Sequence, residues 1–263
     1  MTVGRGKWII ASAAPFLVFL VVFFYAPFAY VVVYSFKTGS GAGLSNYIAL
    51  LHGTYLRVLA ASLKLALSTT LITLLLAYPA AVYAGLMAGV RERYIVLVGF
   101  MIPFWIDFLL RAIALKNILY ILGVRPGFTA TLMGMVYDYL PYMFLPIYAS
   151  VSNVPRNAVD AARSLGASAG RIFKSIILPL TMPGIAVGIM LVGLMSLSDY
   201  VIPSLLGNVD TYTFGTILYY MFLESDQWGL GSALTVLLVA STMAAGYYTV
   251  KKLGKEALEG WES

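Results

Sequence analysis

Six apolar blocks dominate the chain, at about 9–33, 58–84, 94–115, 128–151, 177–203 and 231–250. Each is long enough to cross a hydrocarbon layer, which takes about 20 residues of helix. The runs are continuous and do not alternate, so they read as helices that satisfy their own backbone in lipid, not as barrel strands. Composition agrees: 61% of the 263 residues are hydrophobic, only 11% are charged, and mean hydropathy is +0.89. A soluble domain of this length carries roughly a quarter charged residues. The expected fold is therefore an all-α integral membrane protein, one transmembrane domain over 1–263 with six transmembrane helices. The first block is too long for a signal-peptide core, and no small-residue cleavage site follows it, so it counts as a span.

Orientation follows from the basic residues of the connections. One set of flanks holds Arg5, Lys7, Arg91, Arg93, Arg156, Arg163, Arg171, Lys174, Lys251, Lys252 and Lys255, which is 11 of the 17 Lys and Arg. Lys37, Arg57, Lys64, Arg111, Lys116 and Arg125 fall on the other side or at span ends. The richer side reads as cytoplasmic, and an even number of spans puts both termini there. The pI near 9.4 is thus a topology signal and not a nucleic-acid footprint.

Several chemistries drop out. There is no cysteine, hence no disulfide, thiolate metal site or cysteine nucleophile. The one histidine, His52, lies in an external connection and reads as solvated. "GRGKW" at 4–8 has the wrong spacing for a phosphate-binding loop, so this chain is expected to bind no cofactor and to leave any use of ATP to another subunit.

The connection at 152–176 is too ordered for a mere linker. "SNVPRNAVDAARSLG" reads as a short helix, capped by Ser152 or Asn153, with Pro155 in its first turn and Gly166 at its end. Ala158, Val159, Ala161, Ala162 and Leu165 form an apolar stripe, while Arg156, Asp160 and Arg163 face elsewhere. A second short helix is expected from about Ser168 to Ser175, and Pro179 and Pro183 then disturb the start of the fifth span. The stripe is too small and alanine-rich for a lipid anchor and better suited to a groove on a partner protein.

This stretch resembles the EAA motif of permease subunits in ATP-binding-cassette importers: E-A-A, three residues, Gly, nine residues, I-x-L-P. Here it is Asp160-Ala161-Ala162, Gly166 and Ile176-Ile177-Leu178-Pro179, at the same spacing. Asp160 departs from the family's Glu by one methylene. The resemblance implies a type I importer permease fold in which 152–176 carries the coupling helix, seated in a cytoplasmic ATPase subunit. It also implies two ATPase copies that use ATP and magnesium, a second permease subunit and an extracellular binding protein. Asp160, Ala161, Ala162, Arg163, Leu165, Gly166, Ala167 and Pro179 then become the ATPase-coupling residues.

"PFWIDFLLRAIALKNIL" (103–119), "GMVYDYLPYMFLPIYASV" (134–151), "PLTMPGI" and "GLGSALTVLL" are similar to the spermidine/putrescine-type permeases, and more to their B-type than to the C-type partner. The resemblance runs from about Trp8 to Lys252 and implies a B–C heterodimer in a prokaryotic cytoplasmic membrane. Relatives carry other solutes too, among them iron, thiamine, opines and amino-acid-like compounds. Ionisable residues in lipid usually face a cavity or a partner. The candidate substrate path therefore holds Asp107, Arg111, Tyr137, Asp138, Tyr142 and Asp199. Asp107 and Arg111, four apart on a helix, also read as an internal ion pair. Asp138 among tyrosines suits a desolvated ammonium or contact with a neighbouring helix or the binding protein, and Asp199 reads as interfacial. The acidic connection at 206–231 is either solvated or a docking surface for the binding protein. Gly184-x-x-x-Gly188 permits close helix approach, within the chain or across a dimer. An ion-coupled carrier using these charges lacks matched broken repeats, and a passive channel lacks a filter sequence.

Overall fold

The computed structural model describes residues 14–38 and 41–262. The readings made on Arg5, Lys7, residues 4–8 and the start of the 9–33 block lie outside the described residues. Helices dominate. In chain order they are α1 (Ala14–Ser35), α2 (Ser45–Ala49), α3 (Gly53–Met87), α4 (Val90–Trp105) and α5 (Phe108–Ile121). Next come α6 (Phe128–Ser152), α7 (Arg156–Ser164), α8 (Ala169–Ser198), α9 (Val201–Leu206), α10 (Phe214–Tyr219) and α11 (Trp228–Glu262). A two-residue hairpin, Lys37–Thr38 against Gly41–Ala42, follows α1.

Among the described residues three helices, α1, α3 and α8, are long and apolar enough to span a membrane, and α4 with α5 makes a fourth crossing if the pair is one span. That pair corrects the continuous span expected at 94–115, because its two halves meet at a bend of 99°. The cause is local. Ile102–Trp105 tightens into a 3₁₀ turn around Pro103, Ile106 is extended, and Asp107 restarts the helix by accepting from Leu110 N at 3.1 Å. α6 is 25 residues long yet less apolar, with Asp138 and four tyrosines at 137, 139, 142 and 148. Its position explains the polarity: Thr131, Asp138, Met143, Phe144, Ile147 and Val151 are all buried by neighbouring helices, so little of it has to face lipid.

The chain divides into two compact units, one made of residues up to Leu56 with Leu218–Met243, the other of Arg57–Ile217 with the chain from Ala244 onward. In the larger unit α6 is central and packs most extensively on α8. A β-carbon built on Gly184 would strike Pro146 O and lie 2.5 Å from Ser150 Oγ, and one on Gly188 would lie 2.7 Å from Met143 Sδ. The small-residue pair therefore serves a contact within the chain. Phe144, sandwiched between Phe100 (4.0 Å, 14°) and Tyr148 (5.6 Å, 13°), adds aromatic packing to the same core. Gly184→Ala is expected to cost roughly 1–3 kcal/mol by overpacking, read as a lower Tm of the purified transporter. Gly193→Ala is its control, because a β-carbon there makes only an ordinary 3.7 Å contact with Thr70 Oγ1. Equal Tm values for the two would contradict the close packing.

In the smaller unit, the hairpin and α2 close over the start of α11. Asn46 Nδ2 donates to Ser35 O and Lys37 O, both at 2.9 Å. A side chain at Gly229 would lie 2.8 Å from Lys37 O, so the glycine lets the two segments touch.

Candidate coupling helix and buried charge network

The EAA-like loop is a rigid element. α6 runs through Ser152, and the next helix begins only at Arg156 behind Pro155, with no side-chain cap. Neither Ser152 nor Asn153 caps α7: Ser152 is the last residue of α6, and Asn153 Nδ2 donates back to Ala149 O at 3.0 Å. Pro155 suffices because its fixed φ is already helical and it carries no orphan donor.

The far end of α7 is closed by two bonds of a Schellman turn. Ala167 N donates to Ala162 O and Gly166 N to Arg163 O, each at 3.0 Å. Gly166 has φ +78°, the left-handed conformation that such a turn demands and that a β-carbon penalises. Leu165, just before it, is 88% exposed. The expected stripe is split: Ala158, Val159 and Ala162 are half-buried, whereas Ala161 and Leu165 face out beside Asp160 and Arg163. These two charges approach at 3.7 Å, both largely exposed. Behind the helix, Val159, Ile172, Phe173 and the end of α3 line a cleft of about 600 Å³.

The second short helix expected at 168–175 is instead the first turns of α8. A π-helical stretch, Phe173–Ile177, carries it without a break to Leu178, and Pro179 falls in the first α-helical turn after that stretch. The disturbance from the prolines is thus absorbed as one wide turn. Thr181 Oγ1 lies 3.0 Å from Tyr78 Oη and joins this region to α3.

The acids read as substrate path all have partners within the chain. Arg111 does not pair with Asp107, which caps α5. Instead Arg111 Nη1 lies 2.7 Å from Asp138 Oδ1, and the pair is almost wholly buried, at 8% and 2% side-chain exposure. Sequence separation hid the partnership, because Asp138 sits on the next span. The guanidinium also lies 5.9 Å from the Tyr137 ring centroid, while its Nε has no hydrogen-bond partner among the described residues. One residue further along α6, Tyr139 Oη donates to Asp199 Oδ2 at 2.8 Å. Asp199 Oδ1 accepts from Val201 N (2.8 Å) and Ile202 N (3.2 Å), so this buried acid holds the start of α9. Thr213 Oγ1 donates to its backbone oxygen. Asp138 and Tyr139, adjacent on α6, thereby tie this helix to α5 and to the end of α8.

Tyr142 packs edge-on against Phe104 at 5.0 Å. Sequence reasoning overlooked Trp105, which stands at the break between α4 and α5 and is 80% exposed, next to exposed Asp107. The signal was present, since Pro103 with an Asp four residues on is a stop and a restart.

The family model described as "Binding-protein-dependent transport system inner membrane component" matches residues 8–252. The spermidine/putrescine transport system permease protein PotB of Escherichia coli (strain K12) is 32% identical over 266 residues, 91% of this chain and 96% of its own. PotB of Haemophilus influenzae is 29% identical, with 98% and 99% covered. Among solved structures, a chain of a bacterial ABC transporter involved in the import of the acidic polysaccharide alginate aligns with TM-score 0.69 at 16% identity, over 94% of this chain and 96% of that one. A chain of the MetNI methionine ABC transporter in an inward-facing form gives 0.64 at 14%, over 79% and 98%. This chain belongs to the binding-protein-dependent transport system inner membrane components and is a permease subunit of an ABC importer.

Proposed function

We propose that this subunit carries a polyamine across a prokaryotic cytoplasmic membrane, crossing it six times with both termini inside. The basic residues clustered on the α7 side support that orientation. In this reading a second, C-type permease completes the pathway, an extracellular binding protein delivers the cargo, and two ATPase subunits hydrolyse ATP with magnesium. The chain itself performs no bond chemistry.

One observation carries the coupling role: α7 is clamped by Pro155 and the Gly166 turn, with Leu165 left projecting. A stiff element with an exposed apolar tip can transmit displacement from a partner to α6 and α8, between which it is strung. The polyamine assignment is supported by the 32% identity to PotB and by the broken third span. Non-helical backbone at membrane depth is tolerated where it lines a cavity or meets protein. That break presents Trp105 and Asp107, an aromatic face and a carboxylate suited to an ammonium. Asp138, through Arg111, holds the second half of this break against α6.

The test is ATPase activity of the complete transporter in liposomes, with spermidine-loaded binding protein present or absent. Stimulation by the loaded protein, at least several-fold, is the expected result. Stimulation by a different solute alone would keep the machine and reject the polyamine, and uptake driven by an ion gradient without ATP would reject the coupling role.

A further inference from the structure

The smaller unit contains a cup of about 660 Å³ that no feature of the coupling loop or the third span uses. Its wall is built by Tyr30 and Tyr34, one turn apart near the end of α1, and by Trp228 at the start of α11. Tyr34 and Trp228 meet edge to face at 6.4 Å, and Phe222 supports the indole from behind at 5.4 Å. Asp226 stands at the rim with φ +53°, a conformation that Asp and Asn tolerate better than other side chains. Its Oδ1 accepts from Trp228 Nε1 at 2.6 Å, which holds this exposed carboxylate against the aromatic wall. The floor is fixed by the bonds from Asn46 to Ser35 O and Lys37 O.

The cup already shows what it takes. Lys37 Nζ lies 4.8 Å from the centroid of Tyr34, so a primary ammonium sits on the ring face of this wall. That ammonium is tethered to the chain, and one from outside would replace it while gaining the Asp226 carboxylate. We propose that this cup is a second binding site for a primary alkylammonium, with Tyr34, Trp228 and Asp226 as its contacts and Lys37 as a built-in competitor.

The cup caps the helix ends that the six-span orientation places on the external side, and it rests on that reading for this alone. Two sources supply such a group there: a free polyamine, or the ethanolamine headgroup of a membrane lipid. Trp and Tyr favour the membrane–water interface, and in that orientation both sources can reach the cup.

Equilibrium dialysis of radiolabelled putrescine against the complete purified transporter, without binding protein, tests the site. It is run in amine-free detergent and then in nanodiscs of phosphatidylglycerol with or without phosphatidylethanolamine. Tyr34→Ala and Asp226→Asn are each expected to weaken binding about tenfold, and Tyr34→Phe to retain it, as cation–π and ion-pair contacts imply. Lys37→Met should tighten it about threefold. Asp226→Asn keeps the backbone conformation, so its loss reports charge and not folding. Equal binding in both nanodiscs identifies the free amine as ligand, and weaker binding with phosphatidylethanolamine identifies the headgroup. Putrescine binding that none of these variants alters, in any medium, overturns the proposal. The result is separable from the cargo assignment: a transporter that moves another solute would still show the variant-sensitive binding, and one that moves polyamines could lack it.

Discussion

Arg111→Ala should lower the stability of the transporter by about 3–5 kcal/mol, among the largest effects available to a single side chain here. The substitution leaves the Asp138 carboxylate in a site where it is 3% exposed, with its partner 2.7 Å away removed. An isolated buried charge is far costlier than the pair, so the size of the loss measures the orphaned acid and not the worth of the bridge. Arg111→Met combined with Asp138→Leu should therefore recover most of the Tm that Arg111→Ala loses, since two apolar groups of similar volume need no compensation. Arg111→Lys should fall between, because a compact ammonium keeps the charge but not the planar group set beside Tyr137. The location adds a functional consequence. Arg111 lies in the first turn of α5, just beyond the 99° bend, so the pair pins the second half of the broken span to α6. Thermal unfolding of the purified complex together with uptake separates the two roles. Recovered Tm with normal uptake in the double variant makes the pair a structural pin. Unchanged Tm with lost uptake in Arg111→Ala would instead return Asp138 to the substrate path.

How far the sequence reached depends on which interactions are local. α1, α3 and α8 were legible because lipid exposure demands an uninterrupted apolar run, and the coupling loop because its turn residues are fixed by backbone geometry: Pro155 before a helix, Gly166 after one. The partners of the acids were not legible. Arg111 and Asp138 are 27 residues apart and Tyr139 and Asp199 are 60 apart, and nothing in a linear pattern brings them together. The i, i+4 spacing of Asp107 and Arg111 even pointed the wrong way, because it assumed a continuous helix where Asp107 is the cap that restarts one. The same assumption hid the bend. In α8 the error was milder: a π turn lets one helix run through residues that read as a break.

Gly166→Asp, Gly166→Asn and Gly166→Val together resolve what the tip of α7 does. Nothing lies within 4 Å of a β-carbon built at Gly166, so the β-carbon itself meets no other part of the described chain. What remains is the left-handed backbone at φ +78° and whatever docks from outside. Valine, branched at Cβ, is poorly tolerated in that conformation and should open the two-bond turn that ends α7, at a cost of about 1–2 kcal/mol. Asn and Asp both tolerate it and are nearly isosteric, so they differ by one charge. If α7 seats its exposed Leu165 edge in an ATPase groove, an added carboxylate beside that leucine must be desolvated on docking, which is costly without a partner. The expected order of binding-protein-stimulated ATPase activity is therefore Gly166 above Asn, with Val and Asp reduced at least tenfold. Binding of the loaded solute-binding protein should be unchanged in all of them, because the proposed orientation puts that event on the other side of the membrane. Asp160→Ala should show the same split between lost coupling and intact folding, since the exposed pair with Arg163 contributes little to stability. Equal activity for Asp and Asn, both near that of the unaltered chain, would mean that no partner closes over this tip, and the coupling surface would have to be sought along the half-buried face of α7 and its cleft.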